Sequence, residues 1–493
     1  MSYIVSIDQG TTSTRCILFD QNMKTVNISQ TEFKQYFPHS GWVEHDPEDL
    51  WNTTVSTFKE VLKKSNLTPD KVAAIGIANQ RETTLVWDSK TGKCPTNAIV
   101  WQDRRTSDFC KILKDQSLEE MIKNKTGLLL DPYFSSTKLH WILNNIPDGF
   151  TKAKNGEIIF GTVDTYLIWK LTGGKSHVTD ATNASRTMLF NIKDHKWDEE
   201  ICNLMKIPTN MLPKVLDSSD FFGEVDKNIF GSTIPILGVA GDQQAATIGQ
   251  ACFNPGMIKS TYGTGCFALL NTGSEIIYSK NNMLTTIAYR LNNENTYALE
   301  GSIFVAGAVV QWLRDEMKFM KSANESSFLA EKADKEQRLY FIPAFTGLGA
   351  PYWKPNARGA IFGLNRNTGQ NEIIKAALES IAYQSLDLIN AMYLDLNLSK
   401  ENLILRVDGG MSASDWTMQN LSNILQAPVD RPVFLETTAL GAAWLAGFKA
   451  DVYPDIKNFS KQWDRDIRFN PKITKNESED LYYGWQNLIQ KFL

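Results

Sequence analysis

Histidine is scarce in this chain and cysteine is scattered: the 493 residues hold five histidines and six cysteines, none in an HExxH or CxxC arrangement. A zinc site needs closely spaced ligands of that kind, so none is expected. Cys16, Cys94, Cys110, Cys202, Cys252 and Cys266 read instead as reduced cysteines, with Cys16 and Cys252 in apolar runs. His45, between Glu44 and Asp46, reads as a surface histidine where a helix starts. No window reaches about 18 apolar residues, and Met1-Ser2-Tyr3 opens neither a basic segment nor a long apolar one. No membrane insertion and no secretion are expected. The C-terminal Lys491-Phe492-Leu493 is a poor peroxisomal Ser-Lys-Leu signal, which leaves the cytoplasm as the expected location. A basic stripe is also missing, and the formal net charge is −4, so nucleic acid is not an expected partner.

What is present is a large apolar fraction, 42% with 11% aromatic, in a chain long enough for two or three domains. Near the start the apolar run Tyr3-Ile4-Val5-Ser6-Ile7 leads into Asp8-Gln9-Gly10-Thr11-Thr12-Ser13-Thr14-Arg15 and resumes as Cys16-Ile17-Leu18-Phe19. Two strand-like runs joined by a glycine and hydroxyl turn read as a hairpin built around phosphate. Its backbone N–H groups and hydroxyls suit phosphate oxygens, Asp8 suits a hydrated Mg²⁺, and Arg15 neutralises charge. A third strand is expected over 26–33. Asp46-Pro47 then marks the start of a helix running to Lys64, with Asp46 as N-cap.

Strands are expected at 72–78, 83–87 and 98–101, followed by a helix from Gly161-Thr162-Val163-Asp164 to Gly173. The apolar run 236–240 breaks at Gly241-Asp242-Gln243-Gln244, where a helix begins, so Asp242 lies at a strand end where ligands bind in open α/β sheets. The second half repeats the pattern: strands at 257–261 and 267–271 around Tyr262-Gly263-Thr264-Gly265-Cys266, helices at 304–317 and 371–395, and a strand at 403–407 before Asp408-Gly409-Gly410. The boundary is expected near 250, giving domains 1–250 and 251–493 around a cleft. Gly263-x-Gly265-x-x-Ala268 is not a dinucleotide fingerprint, because a strand follows it. Gly174-Lys175-Ser176 is not a Walker loop, because Trp169 stands where the upstream glycine is required.

These motifs, taken in order along nearly the whole chain, resemble the FGGY group of carbohydrate kinases, which share the actin and hexokinase type of ATPase fold. The resemblance also rests on 42–47, Asn79-Gln80-Arg81-Glu82-Thr83-Thr84, Trp101-Gln102-Asp103-Arg104-Arg105, 343–362 and the two FGGY segments 133–145 and 359–379. It implies an α/β architecture of two RNase H-like domains closing on an ATP cleft. Within the group the chain is most similar to the kinases that phosphorylate glycerol to sn-glycerol 3-phosphate; a pentulose or gluconate kinase is the alternative, and a non-catalytic actin-like nucleotide switch a more distant one.

By that resemblance glycerol is bound by Arg81, Glu82, Trp101, Tyr133, Asp242, Gln243 and Phe267, with Asp242 as general base. ATP falls on Thr11, Thr12, Ser13, Arg15, Thr264, Gly307, Gln311, Gly410 and Ser414, with Mg²⁺ on Asp8. Gly307 and Gln311 share one helix face, and the glycine there would admit a flat ligand. Ser414 replaces the asparagine that many relatives carry near the adenine. Thr233 replaces the arginine of relatives inhibited by fructose-1,6-bisphosphate, which implies no such inhibition. The last histidine, His195, leaves no later one for the phosphorylation that activates some bacterial relatives. A homodimer or homotetramer is the assembly the resemblance implies.

Overall fold

The computed structural model describes residues 2–493. Strands β1 (Tyr3–Gln9), β2 (Ser13–Phe19) and β3 (Thr25–Glu32) form an antiparallel meander, as the alternation of apolar runs and turns predicts. Helix α1 (Pro47–Lys64) starts where Asp46 caps it, its carboxylate accepting the Glu48 N–H at 2.9 Å, and Lys63 and Lys64 lie at its negative end. Strand β4 (Val72–Asn79) is buried along nearly its whole length, as a continuous apolar run demands. With β5 (Ser219–Glu224) and β6 (Pro235–Gly241) these strands make one six-stranded sheet, ordered β5-β6-β4-β1-β2-β3, in which β1, β4 and β6 run parallel. Helix α2 (Asp242–Gly249) follows β6 directly.

The second sheet repeats this plan. Strands β7 (Ile258–Tyr262) and β8 (Cys266–Gly273) form a hairpin, β9 (Leu284–Leu291) and β10 (Glu294–Ile303) extend it, and after helices α3 (Gly307–Asp315) and α4 (Gln370–Leu396) strand β11 (Leu405–Asp408) runs parallel to β7. Helix α5 (Asp415–Leu425), strand β12 (Val429–Pro432), helix α6 (Thr437–Lys449) and strand β13 (Arg465–Phe469) complete the seven-stranded order β9-β10-β8-β7-β11-β12-β13.

Helix α6 joins the two sheets. It packs on β1, β4, β6 and α2 of the first, and its Ala439, Ala442, Trp444 and Leu445 share one apolar cluster with Ile4 and Ala78 of the first sheet and Leu269 and Ala298 of the second. Backbones approach closely here: a Cβ on Gly76 would collide with the Ala442 carbonyl, and one on Gly441 with that of Ala245. Cores built this way leave the carboxyl ends of β1, β4 and β6 and of β7 and β11 at one cleft. Among the described residues no helix is long and apolar enough to cross a membrane.

Some expected elements are shorter than the sequence suggested. The strand expected at 98–101 is only Ala98–Ile99, the one at 83–87 falls at Leu85–Asp88, and the helix expected from 304 starts at Gly307. In the last case the residues before Gly307 finish β10 and turn the chain, so apolar character alone misplaced the boundary.

Candidate active site

At the end of β1 the chain turns through Gly10, whose N–H donates to the Ser13 carbonyl at 3.0 Å, and returns along β2 so that Asp8 and Arg15 lie side by side. Burial pushes the Asp8 carboxyl up to about 7, Arg15 pulls it back, and Asp242 and Glu436 push it further. Arg15 is already engaged: it ion-pairs with Glu436, the residue preceding α6, and donates from Nε to Gln30 Oε1 at 3.1 Å. Thr12 and Ser13 stand beside it on the turn, and Ser13 Oγ accepts from Gln30 Nε2 at 3.0 Å.

Past the end of β4, Gln80 braces this turn, donating from Nε2 to the Gly10 carbonyl at 3.0 Å and to Gln9 Oε1 at 3.1 Å. The same amide lies 3.3 Å from His45 Nδ1, and Gln35 Nε2 lies 3.4 Å from Nε2 of that ring. His45 is therefore no surface residue: it is fully buried, and burial lowers its pKa to about 4. A helix does start just after it, at Pro47, but Glu44–His45 is itself a short strand paired with Ala98–Ile99, and that pairing encloses the ring.

Arg81 and Glu82 are equally buried, and both belong to a larger ion set. Arg81 donates to Glu300 on β10 and lies 3.2 Å from Asp242 Oδ1, while Arg186 Nε donates to Glu82 Oε1 at 2.7 Å and its Nη2 to Glu300 Oε1 at 2.9 Å. Burial favours the neutral acid, yet Arg186 and Arg81 together hold the Glu300 carboxyl below its ordinary range. Glu82 adopts a left-handed backbone, φ 60°, which an L-residue holds only when its surroundings fix it. The position before Asp242 is glycine because a Cβ there would lie 2.6 Å from Arg81 Cδ.

Asp242 is the first residue of α2, with Gly241 in the cap position, so it is not itself the cap. Its Oδ1 accepts the Gln243 N–H at 2.7 Å, and its side chain keeps 29% of its surface open to the cleft. Burial raises its pKa, against the pull of Arg81 and Lys259. Beside it three aromatic rings converge: Trp101 lies 5.6 Å from Tyr133 and 5.9 Å from Phe267, and the Arg81 guanidinium is 6.0 Å from the Phe267 ring. Tyr133 Oη is 3.5 Å from Arg81 Nη2. Trp101 Nε1 donates to Thr11 Oγ1 at 3.0 Å, tying this aromatic wall to the turn between β1 and β2. All seven residues expected at the polyol thus meet at one place, with apolar faces for a carbon skeleton and charged groups for hydroxyls.

Across the cleft a cavity of about 600 Å³ is lined by Thr264, Gly307, Gln311, Gly410 and Ser414. A Cβ on Gly410 would meet nothing within 4 Å, so this glycine opens toward the cavity. Gly307 has another reason for being glycine: a Cβ there would lie 2.5 Å from the Gly263 carbonyl oxygen, so close backbone packing demands it whatever the cavity holds. Gly409 needs its φ of +85° to turn the chain past Tyr262. Ser414 caps α5, accepting the Thr417 N–H at 3.2 Å, and contacts Ser327 Oγ at 2.9 Å. Thr11, Thr12, Ser13 and Arg15, expected with them at the nucleotide, do not line this cavity. Among the described residues no group of three or more His, Cys, Asp or Glu side chains could hold a metal alone. Asp8 nevertheless fits a cation carried mainly by phosphate and water: burial first, then Asp242 and Glu436, raise its carboxyl to about 7, and a divalent charge beside it would favour the ionised form.

Four residues of this site escaped the sequence reading: Arg186, Lys259, Glu300 and Glu436. Lys259 and Glu300 left a signal, since each is a charge inside an otherwise apolar strand, Met257-Ile258-Lys259 and Ala298-Leu299-Glu300. Nothing local marks Arg186 or Glu436.

Residues 3–249 match the FGGY family of carbohydrate kinases, N-terminal domain, and residues 258–450 match the C-terminal domain of the same family. The chain is 60% identical over 491 residues to glycerol kinases of Sinorhizobium fredii and of Rhizobium meliloti, covering 100% of this chain and 99% of each relative. Its fold matches that of Plasmodium falciparum glycerol kinase with ADP at a TM-score of 0.93 and 35% identity, covering 100% of this chain and 98% of the other. The xylulose kinase of Lactobacillus acidophilus shares the fold at 24% identity and a TM-score of 0.88, over 100% and 98% of the two chains. Two sheets of one plan, a shared cleft and matches along the whole chain lead to one conclusion: the protein belongs to the FGGY family of carbohydrate kinases.

Proposed function

We propose that the protein is an ATP-dependent glycerol kinase that makes sn-glycerol 3-phosphate, with the acceptor in the pocket of Trp101, Tyr133 and Phe267 and the nucleotide in the cavity beside Gly410. The observation that carries this reading is the convergence of those three rings with Arg81 and Asp242, just past the ends of β4 and β6. The identity to glycerol kinases and the likeness to one solved with ADP support the choice of substrate and nucleotide.

In this reading Arg81, Glu82 and Gln243 bind hydroxyls, the rings cover the carbon chain, and Asp242 accepts the proton of the attacking hydroxyl. Phosphoryl transfer asks chiefly for alignment and charge neutralisation, and a carboxylate beside the nucleophile supplies the remainder. Because Asp242 must be ionised and its pKa is raised, turnover falls on the acid side at a pH above the ordinary aspartate range. Thr11, Thr12, Ser13 and Arg15 hold phosphate oxygens from one wall; Thr264, Gly307, Gln311, Gly410 and Ser414 line the nucleotide cavity on the other. Asp8 holds Mg²⁺ through water, and the ion, when bound, neutralises phosphate charge. The domains divide at 250/251, α6 excepted in its packing, and the enzyme works in the cytoplasm as a homodimer or homotetramer.

An ADP-release assay with glycerol, xylulose and gluconate tests this. Turnover with glycerol far above the other two is expected, and a preference for a pentulose or gluconate overturns it.

A further inference from the structure

The geometry points to Lys259 as a positioning residue that fixes which end of the Gln243 side-chain amide faces the acceptor hydroxyl. The inference rests on the reading of Asp242 and Gln243 as polyol-binding residues. Lys259 lies on β7 of the second sheet, and its fully buried side chain reaches across to α2, where Nζ donates to Gln243 Oε1 at 2.6 Å, as well as to Thr261 Oγ1 on its own strand at 2.9 Å.

An ammonium has donors only, so nothing but the amide oxygen of Gln243 can face it. The amide nitrogen is thereby turned away from the ammonium, on a residue whose backbone N–H donates to Asp242 Oδ1 at 2.7 Å. A flipped amide would set its N–H₂ against the ammonium, donor against donor. The N–H₂ of Gln243 is then left for substrate. A hydroxyl between these groups accepts from Gln243 and donates to Asp242, which directs its proton at the base and its lone pair away from it. Burial lowers the Lys259 pKa from its ordinary value and Arg81 adds to that, while Asp408, Asp242 and Glu300 favour the charged form. Holding such a charge out of water is costly, and a purely apolar contact between sheets would have avoided it.

The test is a double-mutant cycle on glycerol KM, using Lys259→Met in the wild-type and Gln243→Ala backgrounds. In the wild-type background glycerol KM is expected to rise roughly tenfold with ATP KM within about twofold. In the Gln243→Ala background the same substitution should change glycerol KM by less than about twofold. Equal effects in both backgrounds, or an unchanged KM in the first, overturn the inference. Should Lys259→Met fail to fold, Gln243→Glu serves: its carboxylate still accepts from Lys259 but offers substrate an acceptor in place of an N–H, so glycerol KM should again rise roughly tenfold, and a wild-type KM overturns the idea. Absence of glycerol turnover in the wild type overturns the proposed function itself, which separates the two failures.

Discussion

Glu300→Gln isolates the charge that joins the two sheets under the acceptor site. The side chain is completely buried, its carboxylate pairs with both Arg81 and Arg186, and glutamine keeps its shape, so packing is unchanged. After the substitution Arg186 retains Glu82 at 2.7 Å, and Arg81 retains Asp242 at 3.2 Å. Breaking a buried pair by removing one partner costs about 3–5 kcal/mol, and the two surviving partners put this case near the lower end, about 3 kcal/mol. For a cooperative unit of roughly 250 residues, an unfolding entropy of about 2.1 cal/mol/K per residue gives about 0.5 kcal/mol/K, hence a Tm lower by about 6 °C. Scanning calorimetry of wild type and variant reads this directly. Glycerol KM should rise in parallel, because Arg81 loses its anchor. A Tm within about 1 °C of wild type would refute the idea that this ion set holds the site together.

Two further predictions concern the phosphate turn. His45 folds neutral with a pKa of about 4, below its unfolded value, so its contribution is present above the unfolded pKa and is lost as pH falls toward 4. Between about pH 7 and pH 5 this removes about 2 kcal/mol, and urea unfolding of His45→Gln should show that much less acid dependence than wild type. Trp101→Phe keeps a ring in the aromatic wall but removes the N–H that Thr11 Oγ1 accepts at 3.0 Å. With about 1 kcal/mol lost, KM should rise roughly fivefold in steady-state assays, for ATP as well as for glycerol; an effect on glycerol alone would mean the bond does not couple the two walls.

Much of the fold was legible because its strands announce themselves. Val72 to Ala78 is apolar throughout since both faces are covered, and Asp46-Pro47 caps α1 by chemistry that is local. The candidate site stood out wherever a strand ends in a polar turn: Asp8, Arg81, Asp242, Gly263 to Gly265 and Gly410 all lie at such ends. What the sequence withheld depends on long-range packing. Glu300 matters because of a charge 219 residues away in sequence, Arg81, and Lys259 because of an amide 16 residues away, that of Gln243. His45 looked exposed because its flanks are acidic, yet its side chain is enclosed by Gln80 and Gln35. That Gly307 must be glycine to let the Gly263 carbonyl approach is a matter of packing between distant segments, which its sequence neighbours do not betray.

The central claim is that Asp242 is the base for transfer to glycerol. Asn in its place retains the shape and an oxygen for the Gln243 N–H, so the fold and Tm should persist. Steady-state kinetics of Asp242→Asn with saturating glycerol and Mg-ATP should show kcat lower by about 10²- to 10⁴-fold, whereas a near-native kcat from a well-folded variant would contradict the account.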